Sequence, residues 1–162
     1  LEINLEYLHQ VKIRQKNKTV KIWIVGQHIP EEIIKRKSEN VLVDNLKEDD
    51  QESIRSAYYS SSVFVSPLRG PGGTRLKHFA AMAAKLPLIT TSVGAEGLGA
   101  RDGVNIIVRN SPEGLAAATL DILGNPKKAE NIAVNARKLV EEKYSWYKMS
   151  EHLDQIYENT RK

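Results

Sequence analysis

Apolar positions along this chain fall into two patterns. Short β-rich runs alternate with longer stretches in which apolar residues recur every three or four positions. The runs Lys21-Ile-Trp-Ile-Val-Gly26, Asn40-Val-Leu-Val-Asp44, Val63-Phe-Val-Ser-Pro67, Pro87-Leu-Ile-Thr-Thr91 and Asn105-Ile-Ile-Val-Arg109 predict five strands. Helices are predicted between and after them. One spans 5–16, with Leu5, Leu8 and Ile13 at loosely helical spacing, and one spans 30–37, with Pro30 and two glutamates in its first turn. Others cover 49–60, Thr74 to Lys85, 112–123, 126–142 and 147–160. Strands that alternate with helices pair in parallel, because parallel neighbours need crossover connections. The expected fold class is therefore α/β, a doubly wound parallel sheet with helices on both faces. Folds of this kind normally open on a strand, yet the first element here is a helix, so the first strand is expected to lie outside this chain. There is no internal repeat, low-complexity tract or linker, and residues 1–162 read as one domain.

Composition narrows the picture without redirecting it. At 162 residues, with 41% hydrophobic and 27% charged positions, the chain suits a single water-facing domain with one substantial core. No stretch approaches the roughly 20 apolar residues that a membrane span requires. No basic-then-apolar leader is present, so a cytoplasmic setting is expected. The absence of cysteine excludes disulfides, thiolate catalysis and cysteine-bound zinc within this sequence. The net charge of +4 is scattered, as at Lys12, Arg14, Lys16 and Lys18, and only 6% of residues are aromatic. That argues against a nucleic-acid surface and stays compatible with an anionic small ligand or an acidic membrane surface. The histidines and carboxylates show no metal-ligand spacing.

In open α/β sheets, ligands sit beyond the carboxyl ends of the strands. The most distinctive loop there runs from Pro67 to Thr74. Gly70, Gly72 and Gly73 let a ligand approach bare backbone, and Thr74 can serve as the N-cap or first-turn residue of the next helix. Exposed N–H groups and the helix dipole favour an anion such as a diphosphate. Arg69, Arg75 and Lys77 add positive charge. The following helix is apolar nearly all round, from Leu76 through Phe79 to Ala84, which predicts burial on most sides. The loop is neither a Walker A motif nor a complete dinucleotide fingerprint, and from the residues alone a ligand-free glycine-rich turn stands beside the anion cradle.

Residues 66–98, SPLRGPGGTRLKHFAAMAAKLPLITTSVGAEGL, resemble the donor-binding domain of the GT-B glycosyltransferases, the group called glycosyl transferases group 1. KIWIVG, IRSAYYSSSVFVSP, DGVNIIVRNSPEGLAAATLDIL and YSWYKMSEHLDQIYENT also look like family stretches in family order. The resemblance implies a Rossmann-like C-terminal half of a GT-B fold, facing an N-terminal acceptor-binding domain that this chain lacks. It implies transfer of a sugar from a nucleotide diphosphate sugar, such as a UDP- or GDP-sugar, usually with retention and without a metal or other cofactor. Surface polysaccharide or glycolipid assembly at the inner face of the membrane is the implied setting.

By the same resemblance, Gly72, Gly73 and Thr74 would meet the diphosphate and donor sugar, with Arg75 and Lys77 as supporting cations. Asn45 and Leu46 would lie against the base, and the last helix would cross back toward the acceptor domain. The sequence departs from the family pattern at Ala80 and Gly72, where relatives commonly place a spaced pair of glutamates, the second of which holds the ribose hydroxyls. It departs again in lacking the opening strand and the Arg/Lys pair that follows it. A non-enzymatic relative kept for nucleotide binding or assembly is the alternative those departures suggest. A receiver or flavin domain is disfavoured, because the central strand ends in Ser66-Pro67 rather than in an aspartate.

Glu96, beyond the fourth strand, is a further cleft contributor that could bond sugar or ribose hydroxyls. His28 reads as a loop residue near the same edge, and His78 as a helix residue able to pack, cap or touch ligand. Asp44 and Asp102 read as turn residues, and Tyr144, Trp146 and Tyr147 as core.

Overall fold

The computed structural model describes residues 19–47, 50–70 and 75–160. The helix expected over 5–16 and the turn residues Gly72, Gly73 and Thr74 lie outside the described residues. Five parallel strands form in two ladders. β1 (Ile22–Gly26) pairs with β2 (Val41–Asn45), from Ile22 opposite Val41 to Gly26 opposite Asn45. β3 (Phe64–Ser66) pairs with β4 (Leu88–Thr90), and β4 with β5 (Ile107–Val108), so β4 lies at the centre. All three residues of β4 are buried, as expected for a parallel strand covered on both faces.

Helices connect and cover the strands. α1 (Glu31–Ile34) follows β1, and α2 (Gln51–Ser60) leads into β3. α3 (Leu76–Ala83) joins β3 to β4, and a one-turn helix, α4 (Ser92–Ala95), follows β4. α5 (Pro112–Gly124), α6 (Pro126–Lys143) and α7 (Trp146–Thr160) complete the described chain. Local chemistry sets their starts. Asp50, Ser111 and Asn125 accept from the backbone N–H groups of Ser53, Gly114 and Lys128, and Pro112 and Pro126 occupy first-turn positions.

Alternation along β4 sends neighbours to opposite faces. Leu88 joins Met82, Leu98, Ile106, Ala136 and Leu139. Ile89 joins Ile107, Leu115, Ala118, Ile122 and Ile132. The three-stranded ladder is therefore covered on both sides, by α3 with the later part of α6, and by α5 with its earlier part. A separate cluster of Ile24, Ile33 and Val43 anchors α1 to the two-stranded ladder. Val20, just ahead of β1, packs with Ala116 and Leu120 of α5, so β1 is the strand that faces the larger ladder.

Several expectations are corrected. α3 is not buried on most sides: His78, Ala81 and Met82 are buried, whereas Leu76 is 70% exposed and Lys77, Ala80 and Ala83 are exposed. Its N-cap is Arg75, not Thr74, and Arg75 makes no side-chain cap bond. Trp146 and Tyr147 are not core, being 91% and 70% exposed on a helix with no buried residue. Tyr144 does pack, its ring 4.5 Å from that of Phe79. Asp44 belongs to β2 rather than to a turn, and its carboxylate accepts from the Trp23 indole at 2.7 Å.

Candidate functional site

The carboxyl ends of β3 and β4 are tied together by side chains that carry no formal charge. Thr90 Oγ1 donates to the Ser66 carbonyl at 2.8 Å, and Thr91 Oγ1 donates to the Leu68 carbonyl at 2.5 Å. Thr91 also caps α4, accepting from Gly94 N at 3.1 Å. Asn110, beyond β5, accepts from both Ser92 N and Ser92 Oγ. These bonds hold a one-turn helix too short to stand by itself.

α3 docks onto this platform through its first turn. Arg75 Nη2 donates to the Val93 carbonyl at 3.1 Å. His78, only 2% exposed, bonds through Nδ1 to the Gly94 carbonyl at 2.9 Å and through Nε2 to Ser66 Oγ at 2.7 Å. Burial pushes the imidazole pKa down from 6.5 to about 4, and the charges of Arg75 and Lys77 push the same way. Glycine is required at position 94, because a Cβ there would lie 2.0 Å from Thr90 Oγ1 and 3.3 Å from His78 Cε1.

Of the residues expected at the site, Arg75 and Lys77 lie at the start of α3, Arg75 bonded to α4 and Lys77 exposed. Loss of surrounding water lowers the Lys77 ammonium from its ordinary 10.5. Arg69 is exposed just beyond β3, one residue after the Leu68 carbonyl that Thr91 holds. Glu96 is exposed at the end of α4. These four border one edge of the three-stranded ladder. Asn45 and Leu46 lie at the carboxyl end of β2, on the other ladder. There Asn45 Oδ1 accepts from Ile29 N at 3.0 Å, and Leu46 N donates to the Gly26 carbonyl at 2.7 Å. His28 is exposed in that loop, in the left-handed backbone region at φ 52°.

Sequence reasoning missed Ser66, Thr90, Thr91 and Gly94 as the frame of this edge. One signal pointed to it: Thr91 stands three residues before Gly94, the spacing of a capping residue and the N–H it receives. Asp102 braces the turn before β5, accepting from Val108 N and pairing with Arg109. Among the described residues no group of three or more His, Asp or Glu could hold a metal ion, and no helix is long and apolar enough to cross a membrane.

Cations and the start of α3 thus lie together at the carboxyl edge of a parallel α/β layer, the edge where ligands of such sheets sit. The family model for glycosyl transferases group 1 matches residues 2–125, and the chain belongs to that family. It is 26% identical over 145 residues to an uncharacterized 44.6 kDa protein in the cps region of Klebsiella pneumoniae, covering 86% of this chain and 37% of that protein. The chain thus spans just over a third of the length of that curated relative.

Solved structures share the fold. The C-terminal domain of a glycosyl transferase group 1 family protein from Francisella tularensis has a TM-score of 0.73 at 20% identity, covering 87% of this chain and 79% of that one. A mutant of S. aureus TarM in complex with Fondaparinux, alpha-GlcNAc-glycerol and UDP also has a TM-score of 0.73, at 21% identity, covering 93% of this chain and 32% of that one. Both likenesses fit the Rossmann-like, GT-B half expected from the sequence.

Proposed function

We propose that this chain is the donor-binding domain of a glycosyltransferase that moves a sugar from a nucleotide diphosphate sugar to an acceptor, with retention of configuration. The observation that carries this reading is the placement of Arg75 and Lys77 at the start of α3, locked to α4 at the carboxyl edge of the sheet. Such a helix start favours an anion through its N–H groups and dipole, and the two cations add charge where a diphosphate would lie. Gly72, Gly73 and Thr74 complete the diphosphate and sugar contacts in this reading, Asn45 and Leu46 border the base, and Arg69 and Glu96 flank the cleft. The relative in a cps region supports a surface-polysaccharide acceptor, and UDP in the TarM complex supports a uridine donor. No metal or other cofactor is proposed, and the setting is cytoplasmic, at the inner face of the membrane.

Two features support a longer parent protein with an acceptor domain. Among the described residues no pairing joins β1 to β3, the place where the first strand runs in a doubly wound order of 3-2-1-4-5-6. α7 also presents Trp146, Met149, Leu153, Ile156 and Tyr157 to solvent at helical spacing, a face suited to packing against another domain. We therefore expect the isolated chain to bind a donor without turning it over.

Calorimetric titration with UDP, GDP and their sugars tests the reading. Binding is expected, weakened about tenfold or more in Lys77→Ala, the loss that follows removal of a charged hydrogen bond of about 1.5–3 kcal/mol. No heat with any nucleotide at millimolar concentration would sink it. A second reading, a domain impaired in catalysis and kept for nucleotide binding or assembly, is favoured by one observation. Ala80 is exposed on α3, at the position where the family resemblance implies a ribose-binding glutamate. Tighter binding in Ala80→Glu would support that reading, and unchanged affinity would remove its basis.

A further inference from the structure

We propose that His78 is a positioning residue for donor binding, its neutral imidazole fixing the first turn of α3, and with it Arg75 and Lys77, against the ends of β3 and β4. The proposal rests on the donor-binding reading above and adds to it a residue that contacts no ligand. The Gly94 carbonyl can only accept, so His78 Nδ1 carries the proton and donates at 2.9 Å. Nε2 is then left with its lone pair and accepts from the Ser66 hydroxyl at 2.7 Å. Both ring nitrogens are committed and the ring is 2% exposed, which leaves no face for a ligand.

The two partners belong to different segments. Ser66 ends β3 and stands in register with Thr90 of β4, whose hydroxyl bonds the Ser66 carbonyl. Gly94 belongs to α4, one residue from the Val93 carbonyl that Arg75 holds. The imidazole thus joins three segments at one point, one turn along α3 from Arg75. The missing Cβ of Gly94 is what allows the ring so close.

An apolar side chain at position 78 would leave the Ser66 hydroxyl and the Gly94 carbonyl without their present partner. It would also free the helix start to shift, and displacements near 1 Å at a binding constellation carry large losses. Arg75 and Lys77 face the imidazole from its own helix and disfavour its protonation. From β3, Phe64 packs edge-on with ring centroids 6.2 Å apart, and Ser66 supplies the hydroxyl. From α4 comes the Gly94 carbonyl.

The test uses the whole chain, titrated calorimetrically with UDP and with GDP at a temperature where every variant is folded by thermal melt. His78→Leu is expected to weaken nucleotide binding about tenfold, and Ser66→Ala by a smaller factor. Ile122→Val, which thins the core on the opposite face of the sheet, should lower the melting temperature and keep wild-type affinity. Nitrogen NMR of the wild-type imidazole should show the proton on Nδ1 at neutral pH. If the wild type binds nucleotide and His78→Leu binds it equally well, whatever its melting temperature, His78 is structural only and the proposal falls. Should His78→Leu fail to fold, unchanged affinity in Ser66→Ala overturns it instead. A wild type that binds no nucleotide defeats the donor-binding reading itself, and this proposal with it.

Discussion

Protonating His78 at Nε2 would turn the Ser66 hydroxyl from donor to acceptor and put a third positive charge beside Arg75 and Lys77. The consequence for stability has a definite sign. The ordinary histidine value is 6.5 and the folded value is about 4, so between those pH values the unfolded chain holds more protons at this position. Stability from the neutral ring is full above about 6.5 and is lost as pH falls toward 4, at a limiting slope of about 1.4 kcal/mol per pH unit. Melting curves from pH 7 to 4 should therefore fall more steeply for the wild type than for His78→Gln. Parallel curves would show that the His78 pKa is the same in the folded and the unfolded chain. The residue was visible in the sequence as part of α3, but its role was not. Its partners lie 12 and 16 positions away, and only the packing of α3 on β3 and α4 brings them together.

At the scale of elements, α3 shows what pattern conveys and what it leaves out. Its C-terminus closes with Leu86 N bonded to the Ala81 carbonyl and Lys85 N to the Met82 carbonyl, the paired bonds of a Schellman motif. That motif puts Lys85 in the left-handed region, at φ 56°, a conformation that costs a side-chain-bearing residue about 1–2 kcal/mol. Lys85→Gly should stabilise the domain by about 1 kcal/mol, read as a higher urea midpoint with an unchanged denaturant slope; a lower midpoint would contradict the argument. The helix was legible from its apolar run, but its exposed side was not, because alanines fit either a buried or a solvent-facing surface. All five strands were legible because short β-branched runs bounded by turn residues have few other uses. The helix expected over 30–37 shrinks to Glu31–Ile34, since Ser38 bridges back to Val41 and turns the chain before a second turn can form. The exposure of Trp146 and Tyr147 was not legible either. Aromatic spacing predicts a packed face but does not say which molecule supplies the other side.

For the molecule as a whole, the division of the sheet decides where the fold is weakest. β4 pairs on both edges and is fully buried, whereas among the described residues β1 pairs only with β2 and β3 only with β4. The inward edges of β1 and β3 therefore present backbone groups that a further parallel strand would pair. Val20 packs against α5 and so holds the smaller ladder to the larger one, and among the described residues no strand pairing links the two ladders. Local opening follows such divisions, so amide hydrogen exchange should be slowest at residues 88–90 and markedly faster at 22–26 and 64–66. In a longer protein that carries the proposed first strand, protection at 22–26 and 64–66 should rise toward that of β4, and the melting temperature should rise with it. Equal protection of β1 and β4 in this chain alone would show that the two ladders already act as one sheet. The strand would then have no place between them, and the case for a longer parent would rest on the exposed face of α7.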